Sequence, residues 1–252
     1  MEVVITGEPG RIAAEAVAGH LRPGAVLGLA TGSSPVPVYA ELLRRQASGE
    51  LSFDGVRGFT LDEYIGLPRS HPQSYHSVIR RELTDAAGLV VDGPDGEADD
   101  IQAEAARYEA AIAAAGGIDV QLLGIGTDGH IGFNEPGSSL ASRTRVKTLT
   151  PQTRSDNARF FASIDEVPVH VLTQGLGTIL EARHLVMIAT GTGKAEAVAA
   201  AVEGPVSASC PASVLQLHPH VTFVVDEPAA AELAHTDYYR FAAAHKPPWQ
   251  SW

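Results

Sequence analysis

The feature that most constrains the fold is Val120–Ile125, a short apolar run that ends in glycines and opens a loop. An apolar strand without polar alternation is buried on both faces, as strands of a parallel sheet are. Val26–Ala30, Val56–Leu61, His184–Thr190 and Val221–Val225 also read as strands, and Glu2–Thr6 and Val167–Thr173, which alternate, read as two more. Between them, Pro9–Leu21, Val38–Arg45, Val78–Leu89, Ile101–Ala115 and Ala195–Val202 read as helices, with a last helix starting over Ala229–His235. The Ile101 helix carries its apolar stripe on Ile101, Ala105, Tyr108 and Ile112. Val90–Asp100 is rich in Asp and Gly and reads as a surface loop. Alternating strands and helices predict an α/β fold, a mostly parallel sheet with helices on both faces. No linker or repeat divides the 252 residues, so 1–252 is read as one domain, and the tail from Ala244 to Trp252 has no legible pattern.

In an open α/β sheet, ligands bind in the crevice beyond the carboxyl ends of the strands. Beyond Ile125 the chain places Asp128, His130 and Glu135 within eight residues. Two carboxylates beside an imidazole are suited to proton transfer, since they can fix its tautomer and raise its pKa. The plain alternative is that both acids cap turns around a surface histidine. Gly124, Gly126, Gly129 and Gly132 weigh against that, because they let backbone approach a ligand closely. Gly124, Gly126 and Gly129 also match a dinucleotide fingerprint, but Pro136 breaks any following helix, and no acidic residue stands about 20 positions on. Gly191-Thr192-Gly193-Lys194 fails as a phosphate loop, with Ile188 where its first glycine belongs and Ala195 where Ser or Thr should follow.

Other strand ends carry polar groups. Thr31-Gly32-Ser33-Ser34-Pro35 follows one strand and opens a helix, which reads either as a simple cap or as an anion site built from free N–H groups and hydroxyls. Asp62 and Glu63 follow the third strand, where a general base would act. Lys194 stands at a helix N-terminus, against the preference of the dipole, as though a bound anion compensated. Arg143, Arg145 and Lys147 alternate and would share one face of a strand, either as a solvated row or as a second phosphate site. The net charge of −12 argues against nucleic acid or an anionic membrane as partner. The single cysteine, Cys210, excludes an intrachain disulfide and reads as a packed thiol in a cytoplasmic protein. No signal peptide or membrane span is expected. His218 and His220 flank Pro219 without an evident third metal ligand, and His71 and His76 have none either.

The segments GIGTDGHIGFNEPGSSLASRTRVKTLT, LATGSSPVPVYAEL, LDEYIGLPRSHPQSYHSVI and SCPASVLQLHPH resemble, in order, the signature of the glucosamine-6-phosphate deaminases. The resemblance runs from about Leu27 to Leu233. It implies a Rossmann-like three-layer α/β/α domain without a dinucleotide, acting on an amino-sugar phosphate with no metal or organic cofactor. In that likeness Asp62 matches the base that moves a proton between C2 and C1. His130 matches the residue that opens the pyranose ring, with Asp128 and Glu135 as its partners. Thr31, Gly32, Ser33, Ser34, Arg159 and Lys194 match the phosphate-binding positions. Some relatives are oligomers activated by N-acetylglucosamine 6-phosphate, and Ser138, Arg145, Lys147 and Tyr239 match that allosteric site, so a homo-oligomer and this effector are further expectations. Residues 149–172 are read as a lid over the cleft.

Two other readings remain open at this point. A galactosamine-6-phosphate isomerase would share the base and phosphate cradle. A non-catalytic sugar-phosphate sensor would carry a basic helix-turn-helix ahead of the strand at Glu2, and would not need Asp62 or the Asp128, His130 and Glu135 group.

Overall fold

The computed structural model of the chain describes residues 1–247, 249 and 250. Among these the strands are β1 (Glu2–Ile5), β2 (Val26–Leu29), β3 (Arg57–Thr60), β4 (Asp62–Tyr64), β5 (Val90–Asp92), β6 (Val120–Leu123), β7 (Arg145–Thr148), β8 (His170–Thr173), β9 (His184–Ala189) and β10 (Val221–Val225). Seven of them form a parallel sheet in the order β1-β10-β9-β6-β2-β3-β5. The period-two alternation of side chains divides the core into two layers. On β9, Leu185, Met187 and Ala189 pack with Tyr108, Ile112 and Val198, while Val186 and Ile188 pack with Ala13, Val17, Val38 and Leu42. Helices therefore cover both faces, giving the expected three-layer α/β/α fold.

From β2 the chain moves to β3 and β5 on one side, then returns to place β6 on the other side of β2. The β2/β6 junction is thus the switch point of the sheet, where a crevice opens beyond the strand ends.

Several details differ from the sequence reading. First, the third strand stops before Asp62. Leu61 N–H donates to Leu29 O, its own carbonyl accepts from Gln174, and the chain then leaves the main sheet. Asp62–Tyr64 instead begins a separate antiparallel sheet in the order β4-β8-β7. Second, Val90–Asp92 is an edge strand rather than part of a loop. Its single partner is β3, and Val90 is 72% exposed, so little apolar pattern marks it. Third, Val78–Leu89 is not one helix. A helix over Tyr75–Ile79 runs into a π-helical turn at Arg80–Thr84 and a last turn at Asp85–Ala87. On the Ile101–Ala114 helix, Glu104 joins Tyr108 and Ile112 as the buried residues, in place of Ile101 and Ala105.

The final helix also starts later, at Thr236, because the Glu203 carboxylate accepts the N–H groups of Ala234 and His235 and so fixes its beginning. In the tail, Lys246 reaches Glu2 at 2.8 Å, while Pro248, Ser251 and Trp252 lie outside the described residues. Among the described residues no helix is long and apolar enough to cross a membrane.

Candidate active site

Loops from four strands line one cleft of about 590 Å³. The β2 loop brings Thr31, Gly32, Ser33 and Ser34, the β6 loop brings Gly124–Thr127, His130 and Gly132, and β4 brings Asp62. The β9 loop brings Thr190, Gly193 and Lys194, and Arg159 enters from the short helical turn Ala158–Phe160. Thr31–Ser34 precedes the helix Val36–Ala47, whose first N–H groups have no partners within the helix. With the cations Lys194 and Arg159 lining the same cleft, it suits a phosphate. Burial pushes the Lys194 ammonium downward and Arg159 adds to that, while Asp156 and Asp128 work the other way.

The acid/base groups lie deeper. Asp62 is 4% exposed, and no hydrogen bond or ion pair to its carboxylate is found among the described residues. Burial, then the neighbouring Glu63, pushes its carboxyl up to about 8, against the opposing pull of His130. His130 Nδ1 stands 2.7 Å from Asp128 Oδ1 and 3.5 Å from Glu135 Oε2. The ring N–H points directly at neither, so Nδ1 and Glu135 Oε2 are close, buried and without an aligned hydrogen bond. Burial by itself would lower the imidazole, but the two carboxylates outweigh it and raise it to about 9. Burial likewise works to raise Asp128, while His130 and Glu135 hold its carboxyl well below the usual range. The site therefore pairs a carboxyl that ionises late with an imidazole that stays protonated past neutrality.

The loop glycines make room for this group. A Cβ on Gly126 would lie 2.3 Å from Nδ1 of His130, so the ring packs directly on its backbone. Gly132 sits at φ +55, and a Cβ there would come 3.5 Å from Asp62 Oδ2 and 3.0 Å from Thr173 Oγ1. Of the apparent dinucleotide fingerprint, Gly126 is thus the seat for the imidazole, whereas Gly129 packs against Cys210. Asp128, His130 and Glu135 are also the residues that could hold a metal, with ligand atoms within 4.8 Å of one another, although a cation there would displace the ring proton of His130.

Glu63 has a different task from its neighbour. Its carboxylate accepts the N–H groups of Tyr64, Tyr75 and His76 at 2.8–3.0 Å, which seats the Tyr75–Ile79 helix against β4. Tyr75 in turn donates to the hydroxyl of Tyr64, which also accepts from Asn157. Gln73, Tyr75, Arg81, Asp156 and Asn157 line the cleft as well. Sequence reasoning missed them because they carry no glycine pattern or strand-end position.

The expected basic row is shorter than three. Arg143 precedes β7 and pairs with Glu109 and Glu181, leaving Arg145 and Lys147 on the strand. Arg145 donates to Asn134 Oδ1 at 2.8 Å, and Ser138 donates to Glu135 O. Tyr239, on the helix Thr236–Ala244, donates to Glu203. Among the described residues no hydrogen bond joins Tyr239 to Ser138, Arg145 or Lys147. His218 is buried with both ring nitrogens on backbone groups of Ala182 and His220, as a structural residue would be.

The glucosamine-6-phosphate isomerases/6-phosphogluconolactonase family model matches residues 10–224. A glucosamine-6-phosphate deaminase of Rhodococcus jostii is 66% identical over the full length of both chains. One from Pseudarthrobacter chlorophenolicus is 62% identical over 99% of each. A solved structure of a monomeric glucosamine-6-phosphate deaminase, 44% identical, superposes with a TM-score of 0.89 over 92% of this chain and 100% of its own. The chain belongs to the glucosamine-6-phosphate isomerase/6-phosphogluconolactonase family.

Proposed function

We propose that this protein is a glucosamine-6-phosphate deaminase, converting D-glucosamine 6-phosphate and water to D-fructose 6-phosphate and ammonia. The observation that carries this reading is the unpaired, buried Asp62 carboxyl, which shares one cleft with His130 and with the Thr31–Ser34 loop. The full-length identity to proteins of that name supports the substrate.

The steps follow from the placement. The phosphate is held by Thr31, Gly32, Ser33, Ser34, Arg159 and Lys194, remote from the reacting carbons, so that its binding positions them. His130, protonated and backed by Asp128 and Glu135, assists opening of the pyranose ring. Asp62 then takes the C2 proton and returns a proton to C1. The resulting ketimine adds water and releases ammonia, which leaves the ketose. Asp62 has the pKa of a base working near neutrality.

The finer points belong to the same proposal. The whole chain acts as one domain, with 149–172 as its lid: Thr153, Asp156, Asn157, Arg159 and Phe160 reach the cleft from that segment. The setting is cytoplasmic. Homo-oligomerisation and activation by N-acetylglucosamine 6-phosphate at Ser138, Arg145, Lys147 and Tyr239 stand as testable additions; the 44% identical relative is described as monomeric. The test is to incubate the purified protein with glucosamine 6-phosphate and quantify ammonia and fructose 6-phosphate together. Equal yields establish the reaction. Binding of the sugar phosphate with neither product overturns it.

A further inference from the structure

Three residues lie in register across the small sheet. Asp62 on β4 and Arg145 on β7 both pair with Thr173 on β8. Paired residues of antiparallel strands project to the same face. Three successive residues of the β6 loop cross that face. Gly132 adjoins Asp62, Phe133 N–H donates to Thr173 Oγ1 at 3.1 Å, and Asn134 Oδ1 accepts from Arg145 at 2.8 Å.

Asn134 is fully buried, and its amide N–H groups hold Ile131 O and Gln174 O at 2.9 and 2.8 Å. Its Oδ1 has Arg145 as its donor. Arg145 is half-buried, its other hydrogen bond is to Arg143 O, and no carboxylate pairs with it among the described residues. A guanidinium held in this way is oriented toward the loop and not toward a counter-charge.

Resting on the deaminase reading, we propose that Arg145 is a positioning residue for the active site: through Asn134 it fixes the turn Ile131–Glu135 that sets Glu135 beside His130 and Gly132 beside Asp62. The basic strand then serves catalysis in the unliganded protein, whether or not an effector binds there.

The test compares Arg145→Met and Arg145→Lys with the parent. For Arg145→Met, kcat is expected to fall roughly tenfold to a hundredfold with KM for glucosamine 6-phosphate little changed, as for a misplacement of about 1 Å. Its alkaline limb of kcat/KM should also move to lower pH as Glu135 leaves His130. Arg145→Lys keeps a donor and a charge and should recover most of kcat. Parental kcat and pH profile in Arg145→Met overturn the inference. So does a change confined to KM, or a lysine variant no better than the methionine one. If Arg145→Met does not fold, Arg145→Gln replaces it, since its amide ends two bonds short of the guanidinium nitrogen. The titration of the His130 ring, followed by NMR in histidine-labelled protein, reads the same displacement without turnover. It must fall in the variant whether or not the parent releases ammonia, whereas a parent that releases none overturns only the deaminase reading.

Discussion

Asp62 and Glu63 are adjacent carboxyls on one strand that face opposite cavities. Asp62 lines the 590 Å³ cleft, and Glu63 lines a second cavity of about 420 Å³ behind it. Glu63 is met by three backbone N–H donors, and Asp62 by none among the described residues. The alternation of a β-strand has given two chemically similar residues opposite surroundings, one carboxyl unpaired in the cleft and the other fixed by backbone donors.

Their substitutions should therefore separate. Asp62→Asn is expected to abolish exchange of the C2 proton with deuterated solvent, a loss of roughly 10²–10⁴-fold in kcat, with sugar-phosphate binding retained. Glu63→Gln sets an amide NH₂ against a backbone donor, so it should lower stability by about 1–3 kcal/mol and keep exchange. Deuterium incorporation and thermal midpoints, measured on both, decide the assignment. Exchange surviving in Asp62→Asn would remove it as the base.

On the proposed mechanism the same carboxyl and His130 set the pH response. The base must be ionised and the imidazole protonated. With Asp62 pushed up to about 8 and His130 up to about 9, kcat/KM should rise through the first value and fall through the second. The two charges interact, so the limbs belong to the pair. A rate profile with full activity already at about pH 6 would contradict this order.

Stability carries the opposite sign. Asp62 has a folded pKa raised above its ordinary 3.8, so the folded state holds the proton longer than the unfolded one. Its presence therefore destabilises the fold progressively as pH rises from about 4 to about 8, and no further above that. Asp62→Asn should melt at a higher temperature than the parent at pH 8, with the difference closing by pH 4. Calorimetry at the two pH values reads it, and parallel melting curves would show that the carboxyl is not buried as described.

These contrasts also show what the sequence could carry. Strands buried on both faces announced themselves through unbroken apolar runs, and the groups at their ends could be found by position. Asp62 was legible as a strand-end acid, but not its membership of the small sheet, because β4 and β8 are joined by pairing across a separation of about a hundred residues that no local pattern records. Val90–Asp92 was hidden for a related reason: an edge strand among aspartates and glycines takes its structure from β3. Arg145 could be seen as a cation on a strand, whereas its bond to Asn134 depends on how the loop folds back.

At the proposed phosphate site, Lys194→Met removes a half-buried ammonium from the cleft that Thr31–Ser34 also line. A charge-assisted hydrogen bond contributes ~1.5–3 kcal/mol, so kcat/KM for the phosphorylated sugar should fall roughly 10- to 150-fold. Inhibition by inorganic phosphate should weaken in step, and any turnover of unphosphorylated glucosamine should be unaffected. Equal losses on both sugars would place Lys194 at the reacting carbons instead.

Gly126→Ala tests the seat of the imidazole. The added methyl would stand 2.3 Å from the His130 ring, at the Nδ1 edge that Asp128 and Glu135 also approach, so the ring cannot withdraw without leaving them. Gly126 does not occupy the left-handed region, so the backbone accepts alanine without strain, and the fold should persist. The ring must then turn, and a displacement of about 1 Å is enough to cost on the order of 10²-fold in kcat. Phosphate inhibition, which depends on Thr31–Ser34 and Lys194, should remain at the parental level. The His130 pKa should fall from about 9 toward its ordinary value as its carboxylate partners are lost. An alanine variant with parental kcat would mean that the ring is not held against residue 126, and the account of the glycine pattern would fail with it.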